Sequence, residues 1–273
     1  MTEWLKLSSE ERLETLKQAS AESGISIKAI EKDWWVTLVL KAIFQSKYAD
    51  HLLFKGGTSL SKCWKLIDRF SEDIDLALDR GYFGEVEDWT HSQVKRLKKK
   101  GCAFTSVDLK EAIWEELIKL GVPEGMITIT AGEVKDSMPD KDPQDLSITY
   151  HTVTEPVEYV ADSVKVEVSA RSLKEPWSNC DIESILDEYL PKDLKGGSFQ
   201  VPAVEPKRTF LEKIFLLHEE FQKAPADIRH FRMSRHLYDL DRLMTTAHAK
   251  QALADDQLYK TIIEHREKFV FLP

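Results

Sequence analysis

Residues 54–78, FKGGTSLSKCWKLIDRFSEDIDLAL, limit the possible fold more than any other stretch of the chain. Leu52 to Lys55 suit a short strand, which turns sharply at Gly56 and Gly57. Thr58 and Ser59 are good helix N-caps. Leu60, Cys63, Trp64 and Ile67 then recur at helical spacing, predicting a helix to about Asp68. Arg69-Phe70-Ser71-Glu72 turns into a second strand, Asp73 to Leu78. Alternation along that strand puts Asp73 and Asp75 on one face and Ile74, Leu76 and Leu78 on the other.

The arrangement has a chemical use. Glycines at 56 and 57 leave room for backbone N–H groups to approach a phosphate, and a helix N-terminus adds its positive end. Two carboxylates about 7 Å apart along a strand can jointly hold Mg²⁺, a hard ion that prefers oxygen ligands. Phosphoryl and nucleotidyl transfer need both a triphosphate cradle and a metal. Either half alone is also what an ordinary turn, or an exposed strand edge, looks like. Together, within 25 residues, they point to transfer chemistry.

The chain carries 38 basic against 47 acidic residues, a net charge of −9. That argues against broad, non-specific coating of nucleic acid and leaves room for a local basic groove. Cys63, Cys102 and Cys180 are scattered and form no CxxC pair, so reduced thiols are expected rather than zinc or disulfides. The opening MTEWLKLSSEERLE is too polar for a signal peptide, and no 18-residue apolar run occurs. A cytoplasmic protein without membrane contact is expected.

Ser8 or Ser9 can cap a first helix through about Glu22, which Gly24 ends. A second helix from about Ser26 carries Ile27, Ile30, Trp34, Leu38 and Ile43 as a buried stripe, with Glu31, Lys32 and Asp33 on its polar side, which a solvated helix face would explain. The run Lys95-Arg96-Leu97-Lys98-Lys99-Lys100 reads as the wet face or C-terminal end of a helix, or as a grip for an RNA backbone or a partner protein. Ala103 to Leu120 reads as a helix. Three short strands are expected at Met126–Thr130, Leu146–Val153 and Val157–Val168, the last broken near Asp162. In it Val164, Val166 and Val168 face inward, putting Lys165 and Glu167 together on the other face. Lys192 to Lys207, with Gly196-Gly197, Pro202 and Pro206, reads as a linker or ordered loop, and helices follow. The expected divisions are a helical segment over 1–50, a core over 51–190 and a C-terminal helical domain over 191–273.

GGTSLSK followed by RFSEDIDL resembles the nucleotidyltransferase toxins of the AbiEii/AbiGii (abortive infection, type IV toxin–antitoxin) family, within the DNA polymerase β-like superfamily. The superfamily pattern is Gly-Ser, a gap, then Asp-x-Asp. Here the gap is longer and Thr58 stands for Ser, as suits the AbiEii branch. RTFLEKIFLLHEE and SRHLYDL resemble two further family motifs. The resemblance implies an α+β fold: a polymerase β-like nucleotidyltransferase core, with a small mixed sheet and flanking helices, plus a C-terminal helical domain. It implies Asp73 and Asp75 as Mg²⁺ ligands, Gly56, Gly57, Thr58 and Ser59 around the triphosphate, and Lys213 on its phosphates. A third carboxylate, Glu167 or Asp239, would complete the site or act as base. Arg235, four residues before Asp239, shares its helix face. On the bland reading Glu167 is an exposed strand residue, Lys213 a solvated lysine, and Arg235 and Asp239 a surface ion pair. The implied activity is transfer of a nucleoside monophosphate from an NTP to a tRNA 3′ end, with pyrophosphate released and a cognate antitoxin as partner. Transfer to protein is an open option. Kinase-like phosphoryl transfer, or nucleotide binding without catalysis, are the alternatives.

Overall fold

The computed structural model describes residues 1–84, 86, 89–157, 161–231 and 233–270. Among them seven strands form one mixed sheet: β1 (Leu52–Lys55), β2 (Ile74–Leu78), β3 (Ile127–Ala131), β4 (Gln144–Tyr150), β5 (Ser163–Ser169), β6 (Trp177–Ile182) and β7 (Phe199–Val204). Their spatial order is β3-β4-β5-β2-β1-β7-β6. β1 and β2 pair antiparallel, while β2 with β5 and β1 with β7 pair parallel. The helices are α1 (Ser9–Ser23), α2 (Ile27–Gln45), α3 (Gly56–Lys62), α4 (His91–Phe104), α5 (Lys110–Lys119), α6 (Pro206–Phe221), α7 (Met233–Met244), α8 (Ala247–Ala254) and α9 (Asp256–Phe269). The fold is α+β, with helices flanking the sheet and four more at the C-terminal end. No helix among the described residues is long and apolar enough to cross a membrane.

Local chemistry sets the first elements. The Ser8 hydroxyl accepts from the Glu11 amide and the Glu11 carboxylate from the Ser8 amide, a reciprocal cap that starts α1. Gly24, at φ +72°, ends it. Ser26 then caps α2, the spine of the main core. Trp34, Trp35, Leu38 and Ile43 of α2 are fully buried against the sheet face that carries Phe54, Leu76, Leu146 and Val166. Trp35 stacks on Tyr150 of β4, ring centroids 4.7 Å apart. Each such side chain contributes about 1.5–3 kcal/mol through its burial.

The polar side of α2 is not a solvated face. Glu31, Lys32 and Asp33 are all buried, Glu31 completely. Glu31 accepts from the Val153 amide (2.8 Å) and the Thr152 and Thr154 hydroxyls. Lys32 pairs with Glu72 at 3.0 Å, and Asp33 with Lys62 at 2.5 Å. Buried charges are stable only when paired in this way. Two of the pairs fasten α2 to α3 and to the residue ahead of Asp73.

Other expectations shift for equally local reasons. α3 starts at Gly56, with Lys55 as its cap position, so Thr58 and Ser59 lie inside the first turns rather than capping them. It ends at Lys62, short of Asp68, as the chain swings away through Lys65 at φ +52°. α4 runs through a π-helical turn, Thr105–Leu109, into α5, making one long rod of the basic run and the helix predicted after it. The strand expected over Val157–Val168 is β5, from Ser163 to Ser169, and residues 158–160 of the predicted run lie outside the described residues. The loop expected over 192–207 contains β7, which carries the sheet on beside β1. β6, the edge strand paired with β7, was not anticipated.

A second cluster joins α3 to the C-terminal helices: Leu60 and Ile67 pack with Phe210, Leu211, Ala252 and Ile262. α3 is thereby wedged between the sheet and α6.

Candidate active site

Strand register assembles the site. Asp75 of β2 lies opposite Lys55 of β1 on one side and Glu167 of β5 on the other, and Glu167 lies opposite Asp145 of β4. Neighbouring strands are about 4.8 Å apart, so these four form a charged row on the sheet face turned from α2. Three of the row, Lys55, Asp75 and Glu167, line a cavity of about 280 Å³ together with Arg171, Glu212 and His265.

Gly56 is pressed against this row. It holds φ +80°, and a Cβ there would sit 2.0 Å from Asp75 Oδ2, closer than atoms can approach. Only glycine allows the turn and the carboxylate together. Burial pushes the Asp75 carboxyl up to about 7. The Glu167 and Asp73 carboxylates add to the rise, and Lys55 and Lys213 oppose it. The expected strand began at Asp73, whereas β2 begins at Ile74; Asp73 sits just ahead of it, near enough to raise the Asp75 carboxyl, and of the two aspartates only Asp75 lines the cavity.

The donor set suits a hard divalent cation: carboxylate oxygens, in a surplus of negative charge that such an ion would relieve. Among the described residues no three such side chains already converge around an ion position. Glu167 instead pairs with Lys165. Asp73 and Asp75 are the residues that could hold the metal, with Glu167 next to them.

Beyond Gly56 the helix is tightly packed. Thr58 and Ser59 are each 1 % exposed. The Thr58 hydroxyl and Ser71 Oγ are 2.9 Å apart. A Cβ on Gly57 would meet Arg69 Nη2 at 2.7 Å and Ser71 Oγ at 3.1 Å. The side chains at 58 and 59 thus tie α3 down and leave its backbone as the part that can meet a ligand.

Lys213 of α6 and Asp239 of α7 do meet. Lys213 Nζ is 2.9 Å from Asp239 Oδ2, and Arg69 grips the same carboxylate through both Nε and Nη2 at 2.7 Å. Asp239 is 0 % exposed; burial alone would raise its carboxyl, yet the Arg69 and Lys213 hydrogen bonds hold it below the usual range. A carboxylate so neutralised is a poor proton acceptor. Its geometry suits holding Lys213 and Arg69 in position. His236, with Nδ1 3.3 Å from Lys213 Nζ, is lowered to about 4 by burial and by that ammonium, so its ring is neutral. Lys213 also lies in the field of Asp75, where it opposes the rise of that carboxyl, but neither Lys213 nor Asp239 lines the cavity beside Asp75. Arg235 lies half-buried one turn before Asp239.

Sequence reasoning missed three contributors: Arg69, read only as a turn residue, Lys55 and His236. A signal existed for Lys55. It ends an otherwise apolar strand and directly precedes Gly56.

No curated protein matches the chain. The family model described as Nucleotidyl transferase AbiEii toxin, Type IV TA system, matches residues 38–272, which span the glycine helix, the Asp-x-Asp strand, Lys213 and Asp239. Nucleotidyltransferases of this kind typically use a divalent metal. The chain therefore belongs to the AbiEii family and is a nucleotidyltransferase toxin (EC 2.7.7.-) of a type IV toxin–antitoxin system, with a nucleotide substrate and a cognate antitoxin.

Proposed function

We propose that this toxin is an Mg²⁺-dependent, cytoplasmic enzyme with a polymerase β-like core, which moves a nucleoside monophosphate from an NTP to the 3′ end of an RNA, tRNA foremost. The observation that carries the reading is the pairing of Asp75 with both Lys55 and Glu167, with Gly56 packed onto the same carboxylate. Asp73 and Asp75 would hold the ion, which supplies charge neutralisation on the triphosphate when bound.

The chain's own groups do the rest. Backbone N–H groups from Gly56 to Ser59 receive the triphosphate, with the hydroxyls of Thr58 and Ser59 fixing the helix beneath them. Lys213 places a cation over the phosphates, oriented by Asp239, and Arg235 stands on the adjoining turn. Glu167, which lines the cavity next to Asp75 and pairs with Lys165, is the carboxylate we assign to accept the proton of the attacking 3′ hydroxyl. That oxygen bonds to the α-phosphorus, the bond to the bridging oxygen breaks, and pyrophosphate leaves with the electron pair.

The test is to incubate the protein with each α-labelled NTP, Mg²⁺ and total cellular RNA. Label on a tRNA-sized band with pyrophosphate released is the expected result. Label only on protein would overturn the acceptor assignment.

A further inference from the structure

From the exposed face of α4 we infer the docking surface for the RNA acceptor. The inference rests on the reading of an RNA acceptor and adds where that acceptor is held. Lys95, Arg96, Lys99 and Lys100 are all exposed, within two turns of one helix. Residues four apart lie on one face about 6 Å apart along the axis, so the pairs 95/99 and 96/100 form a double row of cations. Lys98 is committed to Asp140 at 2.7 Å, and Asp140 also draws on Lys95. Lys100 donates only to the Phe83 carbonyl, at 3.4 Å. None of the four forms an ion pair with a carboxylate among the described residues.

On a chain of net charge −9 such a row has a specific consequence. The molecule as a whole repels a polyanion, so an RNA can approach only where the local field is reversed. Beneath Arg96 and Lys100 a cavity of about 240 Å³ is lined in part by Phe83 and Trp89, both half-buried, with the Lys100 ammonium 5.9 Å from the Phe83 ring centroid. Cations flanking half-buried rings are the pattern that holds a phosphate backbone while a base stacks. A protein partner needs no such rings beside the charge, and an acidic protein surface would meet the row without using them.

A chain of packed contacts joins this surface to the wall of the cavity that holds Asp75 and Glu167. Trp89 packs on Phe269, centroids 5.2 Å apart, and Phe269 stacks on His265 at 4.9 Å. His265 Nε2 donates to the Arg171 carbonyl at 2.6 Å. His265 and Arg171 line the cavity that holds Asp75 and Glu167. Three rings in succession, Trp89, Phe269 and His265, therefore stand between the cavity under the cationic row and the cavity that holds Asp75 and Glu167. Asp142, which grips Arg171 at 2.6 Å, sits two residues from the Asp140 that holds Lys98.

The experiment measures direct binding of bulk deacylated tRNA, and of a short single-stranded RNA, to full-length protein. Wild type is compared with Lys95→Ala/Arg96→Ala/Lys99→Ala/Lys100→Ala, and with a charge-keeping Lys95→Arg/Lys99→Arg/Lys100→Arg control. If each cation meets one phosphate, the slope of log affinity against log salt falls by about 3 in the alanine variant, equivalent to about 50-fold between about 50 and about 200 mM salt. The arginine control keeps the wild-type slope, the thermal transition is unchanged in both, and affinity for NTP alone is the same. Equal salt slopes for wild type and the alanine variant would overturn the docking surface and leave the RNA acceptor standing. Loss of antitoxin capture with RNA binding intact would assign the face to the protein partner instead. If wild type neither binds nor labels any RNA, the acceptor reading itself fails and takes this surface with it.

Discussion

Replacing Gly56 with alanine separates catalytic geometry from fold stability. The new Cβ would lie 2.0 Å from Asp75 Oδ2, about 1.4 Å short of ordinary contact. Either the backbone leaves φ +80° or the carboxylate swings away. Holding an L-residue in the left-handed region costs about 1–2 kcal/mol. Overpacking a sealed core would add about 1–3 kcal/mol more. Asp75 borders a cavity, however, so its side chain can yield and most of the second cost is avoided. The expected loss of stability is therefore about 1–2 kcal/mol, a fall in melting temperature of about 2–8 °C. Activity should suffer far more, because a misplacement of about 1 Å at a reacting centre costs about 100-fold in rate. Melting curves and pyrophosphate release, measured on one preparation, test both halves. Near-wild-type turnover in a folded Gly56→Ala protein would refute the reasoning, since Asp75 could then move without consequence.

Three further outcomes follow from the same contacts. Folding raises the Asp75 carboxyl from the usual range to about 7, so the metal-free native state binds the extra proton, and this group's penalty on stability grows as pH rises from about 4 to about 7. Asp75→Asn should therefore raise the melting temperature at about pH 8 without metal and leave it unchanged at about pH 4; an equal gain at both pH values would contradict this. Asp33→Ala strands Lys62 in the interior and should cost about 3–5 kcal/mol in urea unfolding, partly recovered by Asp33→Leu/Lys62→Met; a loss below about 1 kcal/mol would show that water reaches the pair. Lys213→Ala should raise the KM for NTP with the protein still folded, and loss of the whole thermal transition would show that lysine to be structural.

What could be read from the sequence was local. The β1–glycine–α3–β2 unit follows from alternation, two adjacent glycines and short spacing, all within 25 residues. The cap of α1 and the start of α2 were legible for the same reason. Charge burial was not. Glu31, Lys32 and Asp33 look like a solvated face because their partners at Thr152, Glu72 and Lys62 are distant in sequence. Asp239 looks like a free catalytic carboxylate until Arg69, 170 positions earlier, closes on it. β7 was hidden by Pro202 and by its parallel pairing with a strand far upstream, a contact that no local pattern announces. Family motifs pointed to Lys213 and Asp239, whereas their pairing to one another required three dimensions.

The central claim is that Asp73 and Asp75 together hold a divalent ion beside the triphosphate. Electron paramagnetic resonance of Mn²⁺ added with a non-hydrolysable NTP analogue reads this directly, in wild type and in Asp73→Asn and Asp75→Asn. The account predicts one protein-bound Mn²⁺ signal in wild type, lost in either variant while both still melt cooperatively. An undiminished signal in Asp75→Asn would place the ion elsewhere and contradict the account.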